Sequence, residues 1–327
     1  EESGTPMTQF PMEPIAKLGL LKMDFLGLTN LTILNRAIDL VASNGGPHLV
    51  LPEIPLNDPT TFDLLASGET TDIFQLEGSG MRRYIQTLKP DSFRDIAAMV
   101  ALYRPGPMEH IDRYIRAHHG DEAPQYPHPS VEDILKETYG VIVYQDQVLL
   151  IVQRFAGYTL GAADTFRKAM GKKVATIMDQ EKETFLRGAG ERGYSQQEAE
   201  HVFELIEPFA GYAFNKAHAV SYALIAYWTA YFKANYPMEY MTAVLNQRLG
   251  NTEKMAGTIT ECHRMHIEVR PPDVNRSGVE FTIEKTPDVA PSIRFGLGAV
   301  KTVGEAAIDL VVQSRLAGDP FANLEDF

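Results

Sequence analysis

Between about residues 60 and 250, apolar residues recur mostly at the three- and four-residue steps of amphipathic helices. Phe93–Tyr103 carries Ile96, Val100 and Tyr103 in this spacing, and Arg104-Pro105-Gly106-Pro107 stops it, since proline has no amide to donate. The β-branched Val141-Ile142-Val143 leads into a helix-compatible stretch, 145–153. Ser195 with Glu198 three residues later is a capping box for a helix running to Pro208. Ser221–Tyr236 places Tyr222, Ile225, Thr229 and Phe232 on one helical stripe, expected to pack into a core, until Pro237 interrupts it.

The two ends read differently. In the short apolar run 16–28, strand geometry would put Lys22 and Asp24 on one face and Leu21, Met23 and Phe25 on the other. A helix over 31–41 follows, ended by Asn44-Gly45-Gly46-Pro47. Val269-Arg270-Pro271-Pro272-Asp273 reads as a linker, and 279–283 and 292–295 as two strands joined by a proline-containing turn. Gly296–Ala307 then has the look of a helix-hairpin-helix turn in which Val303-Gly304 opens an apolar-periodic helix to Arg315. The expected class is mainly α, with small β pieces near both ends.

Composition adds limits. The 327 residues leave room for about two domains. With 44% hydrophobic and 22% charged residues, the balance is that of a globular protein, and no apolar run is long enough to span a bilayer. A single cysteine, Cys262, leaves no internal disulfide and fits a reducing cytoplasm. A net charge of −13 argues against a generally basic nucleic-acid binder. Arg154–Lys173 nevertheless holds five basic residues against one acid, Asp164, a local balance of +4 that suits a particular anion.

Candidate chemistry concentrates there. Arg167 and Lys168 sit in the last turn of an expected helix, and Lys172 and Lys173 follow Gly171. Cations near a helix C-terminus complement the dipole by about 0.3–1 kcal/mol, so capping is one explanation. Four cations in seven residues exceed what capping needs, and a triphosphate is a fitting partner. Phe214-Asn215-Lys216-Ala217-His218 precedes the aromatic helix. Free N–H groups, Lys216 and His218 there suit an anion, while Asn215 as a cap and His218 as a packed ring is the competing reading. Arg104 is either aimed by its prolines or solvated in the turn. Asp24 alone means little, because two-metal phosphoryl transfer needs several carboxylates and the chain has no Asp-x-Asp pair. The turn around Lys301, Val303 and Gly304 is of the kind that holds a DNA phosphate without reading bases.

Taken in order, these segments resemble the alpha-subunit family of bacterial DNA polymerase III, the C-family replicative polymerases. The matching stretches are Leu18–Leu28 (LGLLKMDFLGL), Asp72–Met81 (DIFQLEGSGM), Tyr103–Met108 (YRPGPM) and Thr138–Gln147 (TYGVIVYQDQ). Ala156–Lys173 (AGYTLGAADTFRKAMGKK), Gly211–His218 (GYAFNKAH) and Pro271–Val274 (PPDV) complete the series, covering nearly the whole chain.

The resemblance implies a division into 1–30 as the last, β/α part of a polymerase palm, 31–268 as helical fingers, and 269–327 as linker strands leading into a helix-hairpin-helix region. Asp24 matches the family's third catalytic aspartate, a ligand for Mg2+, with Lys22 facing the incoming phosphates. Arg104, Arg167, Lys168, Lys172 and Lys173, with Asn215, Lys216 and His218, would line a dNTP triphosphate pocket. Lys301, Val303 and Gly304 would hold primer–template duplex. Partners in the full subunit would include the sliding clamp and other replicase subunits. Two departures stand out: the family usually pairs two arginines where Arg167-Lys168 stands, and often has serine where Ala217 stands. The family's other two catalytic aspartates, thumb and N-terminal domain are expected upstream, and its clamp-binding and OB regions downstream, so a chain of this extent alone is expected not to polymerise. Two rivals remain: a non-catalytic helical docking module, and a duplex-binding module without nucleotide chemistry.

Overall fold

The computed structural model describes residues 7–23, 27–171, 175–210 and 212–327. Asp24, Lys172 and Lys173 lie outside the described residues. The chain is mainly helical. It opens with α1 (Met12–Lys17), α2 (Thr29–Ser43), α3 (Pro59–Ser67), α4 (Ser79–Leu88), α5 (Phe93–Leu102) and α6 (Ile111–His119). Five more follow, α7 (Glu132–Leu135), α8 (Gln145–Ala156), α9 (Leu160–Gly171), α10 (Ala175–Glu191) and α11 (Gln196–Ala210). Then come α12 (Lys216–Asn235), α13 (Pro237–Gln247) and α14 (Thr252–Arg264), the strands β1 (Val269–Arg270), β2 (Thr282–Thr286) and β3 (Val289–Arg294), and α15 (Glu305–Ala317).

Side chains chosen by local chemistry begin and end these helices. Asp58 accepts the Thr61 amide at 2.9 Å and Pro59 occupies the first turn of α3, which left-handed Gly68 closes. Ser92 and Asp95 form a reciprocal box at α5. The Ser195–Glu198 box is present as the spacing predicts: the Ser195 amide and hydroxyl donate to Glu198 Oε2, and the Glu198 amide donates back to Ser195 Oγ. The helix it starts passes through Pro208 and ends at Ala210.

The helices pack around two separate cores. One is formed by α2–α6 with α12–α14 and the sheet residues Phe281 and Ile293; the other by α7–α11, around Phe155, Phe166, Phe185 and Phe203. The chain therefore leaves the first body after α6, builds the second, and returns through α12, which packs on α2, α3, α5 and α13. Where it leaves and returns, Tyr144 and Phe214 pair as an isolated parallel bridge, with the Phe214 amide donating to Val143 O at 2.9 Å and the Gln145 amide to Phe214 O at 2.8 Å. That bridge sets the start of α12 against the start of α8. Ile225, Thr229 and Phe232 of the aromatic stripe are buried as expected, whereas Tyr222 is half-buried.

Three local expectations need correction. Residues 18–23 form no strand: α1 ends at Lys17, Gly19 follows with φ +86°, and the segment after it is irregular. A strand needs a hydrogen-bonded neighbour, and here Leu18, Leu20, Leu21 and Met23 are 56–82% exposed, with no strand paired to them among the described residues. The supposed linker contains β1, which pairs in parallel with β3. The strand expected over 279–283 begins instead at Thr282, because the Phe281 amide and carbonyl are taken by the Asn246 side chain at 2.7 and 3.0 Å.

Candidate functional site

Arg104 and the start of α12 come together although 108 positions separate Arg104 from Tyr212. The Pro105-Gly106-Pro107 turn ends α5, with Gly106 at φ +99° against the Tyr212 ring. The Arg104 guanidinium donates to Ala101 O at 2.8 Å and Tyr212 O at 2.9 Å. Its carbon lies 4.1 Å from the centre of the Phe214 ring, a cation–π contact. Partial burial lowers its pKa, but a guanidinium stays charged.

The row of rings continues. Phe214 lies 5.4 Å from His218, His218 4.1 Å from Tyr222, and Tyr222 5.4 Å from Phe74. Asn215 is the cap of α12, accepting the His218 amide at 2.9 Å. Lys216, one residue on, pairs with Glu137 at 2.6 Å and lies 5.3 Å from the Tyr144 ring. Asn215 therefore caps α12, as the competing reading has it, while His218 is exposed, its ring between those of Phe214 and Tyr222. A half-exposed aromatic row next to cations suits a flat base with a phosphate tail.

Arg167 and Lys168 lie on α9, which packs on α8, α10 and α11 in the second body. Both pair with Asp164, Arg167 Nη2 at 2.9 Å and Lys168 Nζ at 2.6 Å. The hydrogen bond from Lys168, then that from Arg167, holds the Asp164 carboxyl below the usual carboxylate range. Gly171 is the last residue of α9. The basic island is not one patch, because Arg154 on α8 turns to Asp133 and to Ser130 O. At the other end, Lys22 is exposed in the irregular segment. Lys301, Val303 and Gly304 are exposed too, with Thr302 at φ +71° and Gly304 the cap of α15. The element before this hairpin is a single 3-10 turn, Leu297–Ala299.

Sequence reasoning missed three features. Glu137 and Tyr144, which flank Lys216, are far from it along the chain and carried no signal. The second is the pairing of Asp164 with Arg167 and Lys168, for which the three- and four-residue spacing was a signal that could have found it. The third is a cleft of about 590 Å3 lined by residues including Asn30, Asp72, Phe74, Arg248, Asn251 and Lys254. None of the predicted residues lines it, but its Phe74 wall touches the aromatic row at Tyr222.

For a divalent cation the described residues offer one trio, Asp91, Asp95 and His118, with ligand atoms within 4.8 Å of one another. Asp95 there already accepts from Ser92 Oγ at 2.8 Å and Tyr114 Oη at 3.0 Å. With one ligand an imidazole, the trio does not fit Mg2+, which takes oxygen ligands.

A model of the bacterial DNA polymerase III alpha subunit finger domain matches residues 30–193, half of the chain. The chain belongs to that family. A helix-hairpin-helix model matches residues 266–327 of this fingers chain. Among curated relatives, the DNA polymerase III alpha subunits of Thermus aquaticus and Aquifex aeolicus are 48% and 46% identical over the whole chain, which spans 27% and 28% of those proteins. The Escherichia coli subunit is 43% identical, the chain covering 29% of it. The fingers chain thus spans little more than a quarter of the relatives it matches. No helix among its described residues is long and apolar enough to cross a membrane.

Proposed function

We propose that this chain grips the incoming dNTP of a template-directed DNA polymerase and holds its triphosphate for attack by a primer. The reading is carried by the start of α12, where Arg104, Phe214, His218 and Tyr222 form a row of rings and a guanidinium, with Lys216 in the first turn of the same helix. Such a row stacks a base without choosing among bases, leaving that choice to the template. Arg167, Lys168, Lys172 and Lys173 supply charge for the phosphates from α9 and beyond, with Lys22 approaching from the N-terminal side. Arginine meets phosphate with a two-pronged fork and lysine with a point charge, so Arg167 bears more of the orientation and Lys168 more of the bare attraction. The contribution is electrostatic positioning, not covalent chemistry.

In the same reading, residues 1–30 close the palm, 31–268 are the fingers and 269–327 approach the duplex. Lys301 and the amides at Val303 and Gly304 hold a primer–template phosphate there. Asp24 joins carboxylates from elsewhere in the full subunit at Mg2+, and the sliding clamp and other replicase subunits bind outside this span.

Titration of the chain with dATP and magnesium chloride tests the grip. Wild type should bind weakly, and the Arg167→Ala, Lys172→Ala, Lys173→Ala triple variant should lose measurable binding. Equal affinity in the two would remove the nucleotide reading and leave a docking or duplex-binding module. A primer-extension assay on the chain alone should show no templated product, since Asp24 by itself cannot supply the several carboxylates that hold two ions. Extension above a no-protein control would sink that expectation.

A further inference from the structure

We infer that Asp164 and Glu137 act as internal counter-ions that occupy the phosphate-gripping cations until a nucleotide displaces them, and so set how strongly charged an anion must be to enter. The inference rests on the triphosphate reading above. Three of the cations assigned to phosphate are paired with these two acids, two of them sharing Asp164. Asp164 places one oxygen 2.9 Å from Arg167 Nη2 and the other 2.6 Å from Lys168 Nζ. Glu137 Oε1 lies 2.6 Å from Lys216 Nζ. Arg104 differs, being held by two carbonyl oxygens and a ring that leave its charge uncancelled.

The geometry explains why a carboxylate serves here. Its two oxygens take the donors that two phosphate oxygens would take, so the cations wait near their working positions and do not have to be ordered by the ligand. The Asp164 side chain is 38% exposed and Glu137 30%, so solvent and ligand reach both pairs. Exposed pairs of this kind are weak and a ligand can break them. The gain from displacement grows with the charge that the newcomer brings beyond the single charge of the acid it replaces. A monophosphate carries about two charges at neutral pH and gains little from the exchange. A triphosphate carries more and reaches several cations at once. The acids therefore weaken binding of every anion and admit only the most highly charged.

The test is calorimetric titration of wild type, Asp164→Asn, Glu137→Gln and Arg167→Ala with three probes: dATP, dAMP and inorganic tripolyphosphate. Asp164→Asn should tighten dATP and tripolyphosphate roughly three- to tenfold, the range expected for freeing two exposed pairs. It should also bring dAMP into the measurable range. Glu137→Gln, which frees a different cation from a different helix, should shift affinity in the same direction. It carries the test by itself if Asp164→Asn proves unfolded by circular dichroism. Unchanged or weaker binding in the acid variants, while Arg167→Ala still weakens it, would make the acids positioning groups and overturn the inference, leaving the triphosphate reading intact. Indifference of Arg167→Ala, or no binding by wild type, would remove that reading itself and the inference with it.

Discussion

Replacing Glu261 by alanine is expected to destabilise this chain by about 3–5 kcal/mol, the usual cost of leaving a buried charge without its partner. The stranded group is Lys233 on α12, whose side chain is fully buried. Its ammonium donates to Glu69 O at 2.7 Å, to Thr71 O at 2.8 Å and to Glu261 Oε1 at 2.5 Å. Two carbonyl oxygens satisfy two of its three donors but cancel no charge. Arg264 donates to the same carboxylate, at 2.8 Å from Nε and 2.7 Å from Nη2. At about 2–4 °C per kcal/mol for a body of this size, the melting temperature should fall by on the order of 10 °C. A drop of a degree or two would mean that water or rearrangement reaches Lys233.

The same site gives a pH signature. Burial by itself would raise the Glu261 carboxyl, but hydrogen bonds from Arg264 and Lys233 outweigh it and hold the group at about 2, against an ordinary 4.5. A carboxyl lowered in the folded state contributes stability that is fully present above its unfolded value and is lost as pH falls through the folded one. Wild type should therefore lose stability between about pH 4.5 and 2 more steeply than Glu261→Gln. Parallel acid-unfolding curves would contradict this.

Gly140→Ala should cost about 2–5 kcal/mol from two sources. Gly140 has φ +81°, where an alanine loses about 1–2 kcal/mol. An added methyl would also lie 2.2 Å from the backbone oxygen of Gln125, which cannot rotate away as a side chain can. Forcing that overlap adds roughly 1–3 kcal/mol. Gly193 is the comparison: φ is +89° and nothing lies within 4 Å, so alanine there meets only the backbone cost. Thermal unfolding that ranks Gly140→Ala no worse than Gly193→Ala would remove the close-contact argument. The consequence reaches the candidate site, because Gly140 leads into Val143 and Tyr144, whose bridge to Phe214 locates the start of α12. Gly140→Ala should thus weaken dATP binding, while Gly193→Ala leaves it unchanged.

Most helices were legible because their signals are local. Ser195 and Glu198 meet across one turn, Pro237 stops one helix and starts the next, and the stripe over Ile225, Thr229 and Phe232 repeats at the pitch of its own backbone. The run at 18–23 failed for the opposite reason. A short apolar segment becomes a strand only when another strand accepts its hydrogen bonds, and that neighbour is not encoded in the segment itself. β1 was missed likewise, its parallel partner β3 lying beyond the whole of β2.

What the sequence determined by itself was the set of charged and aromatic residues proposed to hold phosphate, together with the one-turn spacing of Asp164 from Arg167 and Lys168. Tertiary structure alone decided the division into two cores, the stacking of Arg104 on Phe214, and the pairing of Lys216 with Glu137, 79 positions away. It also decided the burial of Lys233 against Glu261. Local spacing sets which groups can share a helix face, whereas contacts across long loops depend on how whole helices pack, and that is set jointly by every residue in both cores.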